Sequence, residues 1–138
     1  MLVARVVPSV VAPVAHRLEL EASPESASVA RGFTAGVLQH AGWDDHVDTA
    51  TLLVSELVTN ALRHSEPPCV LSIRFADAGV EISVEDGNPS MPVLRPRDEL
   101  AEDGRGFVLI DALAADWGVR AIDHGKATWF TLRASEDT

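Results

Sequence analysis

Residues 55–65 of the chain read SELVTNALRHS and end a helical pattern that starts at Asp44 or Asp45 and stops before Pro67. At about 100° per residue, the apolar side chains of this pattern recur along one broad arc, which predicts the face that the helix buries. The members of this arc are Val47, Ala50, Leu53, Val54, Leu57, Val58 and Ala61. The arc therefore predicts a long amphipathic helix packed against the core of the domain.

A row of polar side chains runs beside this arc. Glu56, Asn60 and His64 recur at every fourth position, so they lie one turn apart on the flank of the helix. A carboxylate followed one turn later by an amide oxygen suits a hard cation bound through oxygen ligands and water. The carboxylate could instead serve as a general base. On this segment alone, the simpler interpretation is favoured: Glu56 and Asn60 are solvated, and His64 caps the helix C-terminus.

Length and composition indicate one soluble globular domain. The chain has 138 residues, of which 46% are hydrophobic and 23% charged. Its net charge of −10 would repel a phosphate backbone, which argues against a nucleic acid partner. A single cysteine, Cys69, excludes an intrachain disulfide and a cysteine-based zinc cluster, and favours a reducing compartment.

The N-terminal stretch, residues 1–13, is apolar but is interrupted by Pro8 and Pro13. It is too short to span a bilayer and makes a poor signal peptide, so we expect neither a membrane anchor nor export. We expect an N-terminal extension at 1–13, a single domain at 14–138 and a cytoplasmic location.

The remaining elements follow from periodicity and turn residues. Ser23 is expected to cap a helix with Pro24 at its first position, and Gly42 follows its end. The predicted elements, in chain order, are a strand at 14–20, helices at 23–39 and 44–64, a hairpin of strands at 69–76 and 79–86, a long loop at 87–106, a helix at 106–117, and strands at 117–123 and 127–134. This order predicts an α/β two-layer sandwich, with a mixed, mostly antiparallel sheet and three helices on one face.

Three further segments could carry chemistry. In VEDGNP, residues 84–89, Asp86 ends a strand and could accept a hydrogen bond from an amino group of a planar ligand. The string from Asp86 to Pro89 is equally typical of a plain turn, with Gly87 freeing the backbone. The segment alone therefore favours the turn.

In EDGRGFVLIDAL, residues 102–113, Gly104 and Gly106 flank Arg105 before the third predicted helix. Exposed backbone N–H groups and the helix dipole attract anions there, and Arg105 could clamp a phosphate. A lone GxG is weak evidence, but its place at the end of the long loop predicts a lid over a bound phosphate.

In HGKATWFTL, residues 124–132, Gly-Lys-x-Thr suggests a Walker A motif. The upstream glycine is missing and the segment leads into a strand, so we reject that interpretation. Thr128 could still face a ligand, whereas Trp129 and Phe130 are expected to pack.

Together, in this order and spacing, the four segments resemble the nucleotide-binding boxes of the GHKL ATPase superfamily. SELVTNALRH resembles the N box, and VEDGNP, GRGFVLIDAL and GKATWFTL resemble the first, second and third glycine boxes. The resemblance covers about residues 14–133, and the most similar branch is the stand-alone bacterial histidine-kinase-like proteins related to anti-sigma factor serine kinases. The first box departs from the usual Asp-x-Gly-x-Gly, because Gly87 stands one place early and the second glycine is absent.

The resemblance implies a Bergerat-type ATP-binding fold with ATP and Mg²⁺ as ligands. It assigns Glu56 to orient or deprotonate the nucleophile and Asn60 to coordinate Mg²⁺ bridging the phosphates. It places Asp86, next to Gly87, at the adenine amino group, with Thr128 reaching adenine through water. The lid-end residues that it sets against the phosphates are Gly104, Arg105 and Gly106.

Two functions of different class follow from the resemblance. The first is a serine protein kinase with anti-sigma character, which transfers the γ-phosphoryl group of ATP to a STAS-type antagonist. The alternative is a regulatory module that sequesters a sigma factor or another partner with little turnover, and a third possibility is a vestigial site. The family also suggests a homodimer.

Overall fold

The computed structural model describes residues 15–64, 69–88 and 102–134, with the backbone alone at residue 64 and at residues 102–107. The expected N-terminal extension and residues 89–101 of the predicted loop lie outside these ranges. The described elements are β1 (Ala15–Leu20), α1 (Ser26–His40), a 3₁₀ turn (Asp44–His46), α2 (Val47–His64), β2 (Cys69–Ala76), β3 (Gly79–Asp86), α3 (Glu102–Leu113), β4 (Asp116–Ile122) and β5 (Gly125–Arg133).

The five strands form one sheet in the order β1-β2-β3-β5-β4. Each neighbouring pair is antiparallel, and both predicted hairpins, β2–β3 and β4–β5, are confirmed. Among the described strands the sheet is thus antiparallel throughout. The predicted two-layer α/β architecture is confirmed as well.

The predicted apolar arc of α2 supplies much of the core. Ala50, Leu53, Val54 and Val58 are fully buried, and Val47 packs at the edge of the cluster. The sheet meets this arc with alternate residues of its central strands, which are Leu71, Ile73, Val80, Ile82, Val84, Phe130 and Leu132. Burying each side chain of this size contributes roughly 1.5–3 kcal/mol, so the contact between α2 and the sheet stabilises the whole domain.

The first helix begins slightly later than its sequence predicts. It starts at Ser26, and its N-cap position is Glu25, which makes no side-chain capping bond. Ser23 instead organises the turn before the helix, because its hydroxyl accepts a hydrogen bond from the N–H of Glu25 at 3.1 Å. Ser23 is therefore a turn residue, and the prediction of Ser23 as N-cap was wrong.

The third helix is displaced from its predicted range of 106–117. It begins at Glu102 and ends at Leu113. Its end is set by the sheet, because the N–H of Ala115 donates to Thr131 O at 2.8 Å and Trp117 then pairs with Phe130. Its beginning takes in the acidic residues at 102 and 103, which suit the positive end of a helix dipole.

The topology brings several element ends to one side of the domain. The C-terminal end of α2 is joined through residues 65–68 to the first residue of β2. The end of β3 lies there too, since Asp86 pairs with Lys126 near the start of β5. α3 ends at the opposite side, where the start of β4 pairs with the end of β5. Among the described helices, none is long and apolar enough to cross a membrane.

Candidate functional site

Asp86 occupies the last position of β3 on the face of the sheet that carries the core. Its neighbour on that face, Val84, belongs to the core cluster, and the Asp86 side chain is only 5% exposed. A carboxylate buried at this level needs compensating partners. The prediction that a carboxylate ends a buried strand is thus matched by the position of Asp86.

Lys126 supplies that compensation. Its Nζ lies 3.2 Å from Asp86 Oδ1, with the lysine side chain 11% exposed, and it also donates to Asn88 O at 3.0 Å. The N–H of Asn88 donates to the same Oδ1 at 2.8 Å. The sequence interpretation missed this ion pair, although Lys126 is the only lysine in the chain and follows a glycine at a strand start.

The turn between β4 and β5 packs closely against the end of β3, where Asp86 lies. A Cβ atom at Gly125 would stand 1.8 Å from the backbone oxygen of Asp86. Only a residue without a side chain fits there, so Gly125 allows β5 to approach the end of β3. This approach puts Lys126 within reach of Asp86.

Cys69 is the third polar group at this end of the sheet. It precedes Val70, which pairs with Glu85, so its thiol lies near Asp86. Burial, with a smaller contribution from the Asp86 charge, raises the pKa of the Cys69 thiol to about 11. The thiol therefore stays protonated at neutral pH and is a poor nucleophile.

Thr128 continues the same face of β5. It pairs with Val84, two positions before Asp86 on the same face of β3, and is 7% exposed. Phe130 is fully buried in the core, and Trp129 lies on the opposite face, against Gly118. The two aromatic residues pack as predicted, and the strand at this segment agrees with the rejection of a Walker A loop.

The polar row on α2 lies at the seam between core and solvent. Glu56 and Asn60 are both half-buried, in contrast to the solvated residues of the simpler interpretation. Asn60 Nδ2 is buried and has no hydrogen-bond partner among residues 15–64, 69–88 and 102–134. A buried amide that lacks a partner costs free energy until a ligand satisfies it. The side chain of His64 lies outside the description.

This donor set suits Mg²⁺ held together with a polyphosphate. No group of three or more His, Cys, Asp or Glu side chains in the described ranges could hold a metal alone. Mg²⁺ usually keeps several waters and binds through one or two protein oxygens plus substrate phosphates. An Asn60 amide with an unsatisfied end fits that mode of binding, since the assignment of its O and N atoms is interchangeable.

Gly104, Arg105 and Gly106 lie within α3, where the sequence predicted a segment before the helix. The first four N–H groups of a helix have no intrahelical partner, so the amide of Gly104 remains available to an anion. Gly106 is far enough inside that its amide falls among the bonded ones. The amides without an intrahelical partner thus lie nearer to residue 102 than the sequence predicted.

The structure thus brings together Asp86, Lys126 and Thr128 at one end of the sheet. Glu56 and Asn60 lie in the C-terminal half of α2, which leads through residues 65–68 to β2. This arrangement has the architecture of a Bergerat-type α/β sandwich, the fold class of the GHKL ATPases.

The chain belongs to the histidine kinase-like ATPase family, since the profile of the histidine kinase-like ATPase domain matches residues 20–132. Among solved structures, it is similar to the RsbU and RsbW domains of Rv1364c from Mycobacterium tuberculosis, with 20% identity and a TM-score of 0.67. That match covers 87% of this chain and 32% of the other, so the chain spans about a third of the length of that protein. No curated protein sequence matches the chain.

Proposed function

We propose that the chain is an ATP-dependent serine protein kinase with anti-sigma character, acting in a partner-switching system. It would transfer the γ-phosphoryl group of Mg·ATP to a serine of a STAS-type protein. One observation carries the proposal: Asn60 on α2 keeps a buried amide without a partner among the described residues, and α2 leads through residues 65–68 to β2, the strand that pairs with the one Asp86 ends. We further propose residues 14–138 as the functional domain, residues 1–13 as an extension and the cytoplasm as its location.

In this proposal, three residues bind the nucleotide. Asp86 accepts the hydrogen bond of the adenine amino group, and Thr128, which pairs two positions before Asp86 on the same face, reaches the base through water. Asn60 would hold Mg²⁺, a role that its buried amide without a described partner supports. Gly87 gives the backbone the freedom to turn after Asp86.

The phosphates would meet the N-terminal turn of α3. The free amide of Gly104 and the guanidinium of Arg105 are the anion-binding groups, with Gly106 allowing a close approach. Positive charge supplied locally in this way accounts for a polyphosphate ligand in a protein of net charge −10. Bound Mg²⁺ would neutralise phosphate charge as it develops on transfer.

Glu56 is the general base of the transfer. As the serine Oγ of the target forms its bond to the γ-phosphorus, the bond from that phosphorus to the β–γ bridging oxygen breaks and ADP leaves. The serine proton goes to the carboxylate of Glu56. Glu56 is only half-buried, which leaves its carboxylate accessible to a protein substrate.

The test compares Glu56→Ala with wild type, using radiolabelled ATP, Mg²⁺ and a purified STAS-type protein as the acceptor. We expect a loss of transfer of about 10²- to 10⁴-fold, the usual contribution of a general base, with nucleotide affinity nearly unchanged. Asp48→Ala is the matched control, because Asp48 is an exposed acidic residue in the first turn of the same helix. Full activity of Glu56→Ala would refute the proposed role.

The alternative function is a binding module that sequesters a sigma factor or another partner with little turnover. The first glycine box favours it, because the string from Asp86 to Ser90 lacks the second glycine of the usual pattern. Capture of a sigma factor without any phosphorylated protein by mass spectrometry would favour this candidate. In both candidates a homodimer is proposed from the family resemblance, and sedimentation of the purified chain tests it.

A further inference from the structure

The Asp86–Lys126 ion pair has a geometry that a merely stabilising contact does not require. Its two charges lie 3.2 Å apart with 5% and 11% of their side chains exposed. Taking two charges out of water costs several kcal/mol each, and an apolar pair of similar size is often as stable or more so. The buried pair is therefore weak evidence for stability and calls for another explanation.

Within the described residues, both side-chain hydrogen bonds of Asp86 use one carboxylate oxygen. Oδ1 accepts from Lys126 Nζ at 3.2 Å and from the Asn88 N–H at 2.8 Å. Two donors on one oxygen fix the rotation of the carboxylate about its Cβ–Cγ bond. The second oxygen, Oδ2, is thereby left as the acceptor on the side of the group away from Lys126.

Lys126 also joins Asp86 to the residue that leads out of β3. The same Nζ donates to Asn88 O at 3.0 Å, so one ammonium group holds both the carboxylate and the backbone two residues later. Among 11 basic residues, this position alone carries lysine. An ammonium is compact and has three donors on a flexible stem, so one Nζ can donate to both acceptors, whereas a guanidinium is larger and planar.

We propose that Lys126 is a positioning residue that fixes Asp86 so that Oδ2 discriminates a base bearing an exocyclic amino group from one bearing a carbonyl. The inference rests on the proposed function, in which Asp86 receives the adenine amino group. A fixed acceptor oxygen attracts an amino N–H and repels a carbonyl oxygen. A carboxylate freed from Lys126 rotates and loses that discrimination.

The experiment measures dissociation constants for Mg·ATP and for Mg·ITP, in which a carbonyl replaces the amino group, by titration calorimetry. Wild type is expected to bind Mg·ATP at least tenfold more tightly than Mg·ITP. Lys126→Met should reduce that ratio below about threefold, and Lys126→Arg, which keeps N–H donors near Oδ1, should recover part of it. Thermal unfolding of each variant establishes that it is folded.

Arg120→Met is the matched control. It breaks the Arg120–Glu81 ion pair, which also has a 3.2 Å separation but lies exposed on the opposite face of the sheet. This variant should keep the wild-type ratio. If Lys126→Met does not unfold cooperatively, Lys126→Gln carries the same comparison, since its amide is one bond too short to replace the ammonium.

The outcomes separate this inference from the proposed function. If wild type binds both nucleotides equally, or if the Met and Gln variants keep the wild-type ratio, Lys126 does not position Asp86 and the inference is wrong. If wild type binds neither nucleotide, the proposed function itself fails and the inference falls with it. A ratio lost only in the Lys126 variants supports the inference.

Discussion

At the scale of single residues, the end of β3 combines groups that a stable core would avoid. A carboxylate, an ammonium and a thiol lie together at Asp86, Lys126 and Cys69, and all three residues are buried. The pattern of the sequence could predict the first of these, because Asp86 closes an alternating strand. It could not predict Lys126 as its partner, because the two residues are 40 positions apart and meet only through strand pairing.

Cys69 gives this cluster a measurable pH dependence. Its pKa is raised to about 11 in the folded protein, so the folded state binds the thiol proton more strongly than the unfolded chain does. The resulting stabilisation is fully present below pH 9 or so and is lost as the pH rises through about 11. The chain has no Tyr, one Lys and one Cys, so few other groups titrate in this window.

We therefore expect wild type to lose up to about 2 kcal/mol more unfolding free energy than Cys69→Ala between pH 8 and pH 11. The figure is an upper bound because the thiol is not fully enclosed. Urea unfolding at a series of pH values measures the difference. The two proteins differ only at position 69, so both retain Lys126. Parallel pH profiles for the two proteins would contradict the cause that we assign to the pKa of Cys69.

At the scale of elements, local periodicity was sufficient for α2 and insufficient for α3. The arc and the polar row of α2 follow from spacing alone, because the helix is long and its buried face is continuous. The limits of α3 depend on distant residues, since Ala115 and Trp117 are drawn into the sheet by β5. The packing of the sheet against α2 also leaves Glu56 and Asn60 half-buried, a degree of burial that their spacing in the sequence does not specify.

The glycines of α1 provide a test at this scale. Gly32 and Gly36 lie inside the helix, and a Cβ at either position would meet nothing within 4 Å. Alanine there should stabilise the protein by about 0.5–1 kcal/mol per substitution, because glycine loses more backbone entropy on folding. Chemical denaturation of Gly32→Ala and Gly36→Ala measures the gain.

Gly42 is the matched control for these two variants. It also has open space around its Cα, but its φ of +83° is one that other residues rarely adopt. Gly42→Ala should therefore destabilise the protein. If Gly32→Ala and Gly36→Ala both lose stability, the space next to these two positions is occupied. That result would contradict the open helix surface that the structure shows there.

At the scale of the whole molecule, the topology explains how an ordinary sandwich gathers distant segments. Among the described strands every pairing is antiparallel, which brings the end of β3 to the start of β5, and α2 leads through residues 65–68 to β2 beside them. The sequence predicted the class of fold. The limits of α3, with its first turn at residue 102, needed the structure.

The central claim is that this end of the domain binds Mg·ATP through Asp86. Titration calorimetry of wild type with ATP in the presence of Mg²⁺ tests it most directly, alongside Asp86→Ala and the outer-face control Glu81→Ala. The account predicts saturable one-to-one binding, with a dissociation constant of about 1 μM to 1 mM, by wild type and the control. It predicts at least tenfold weaker binding by Asp86→Ala, and absence of binding by wild type, or equal binding by all three proteins, would contradict it.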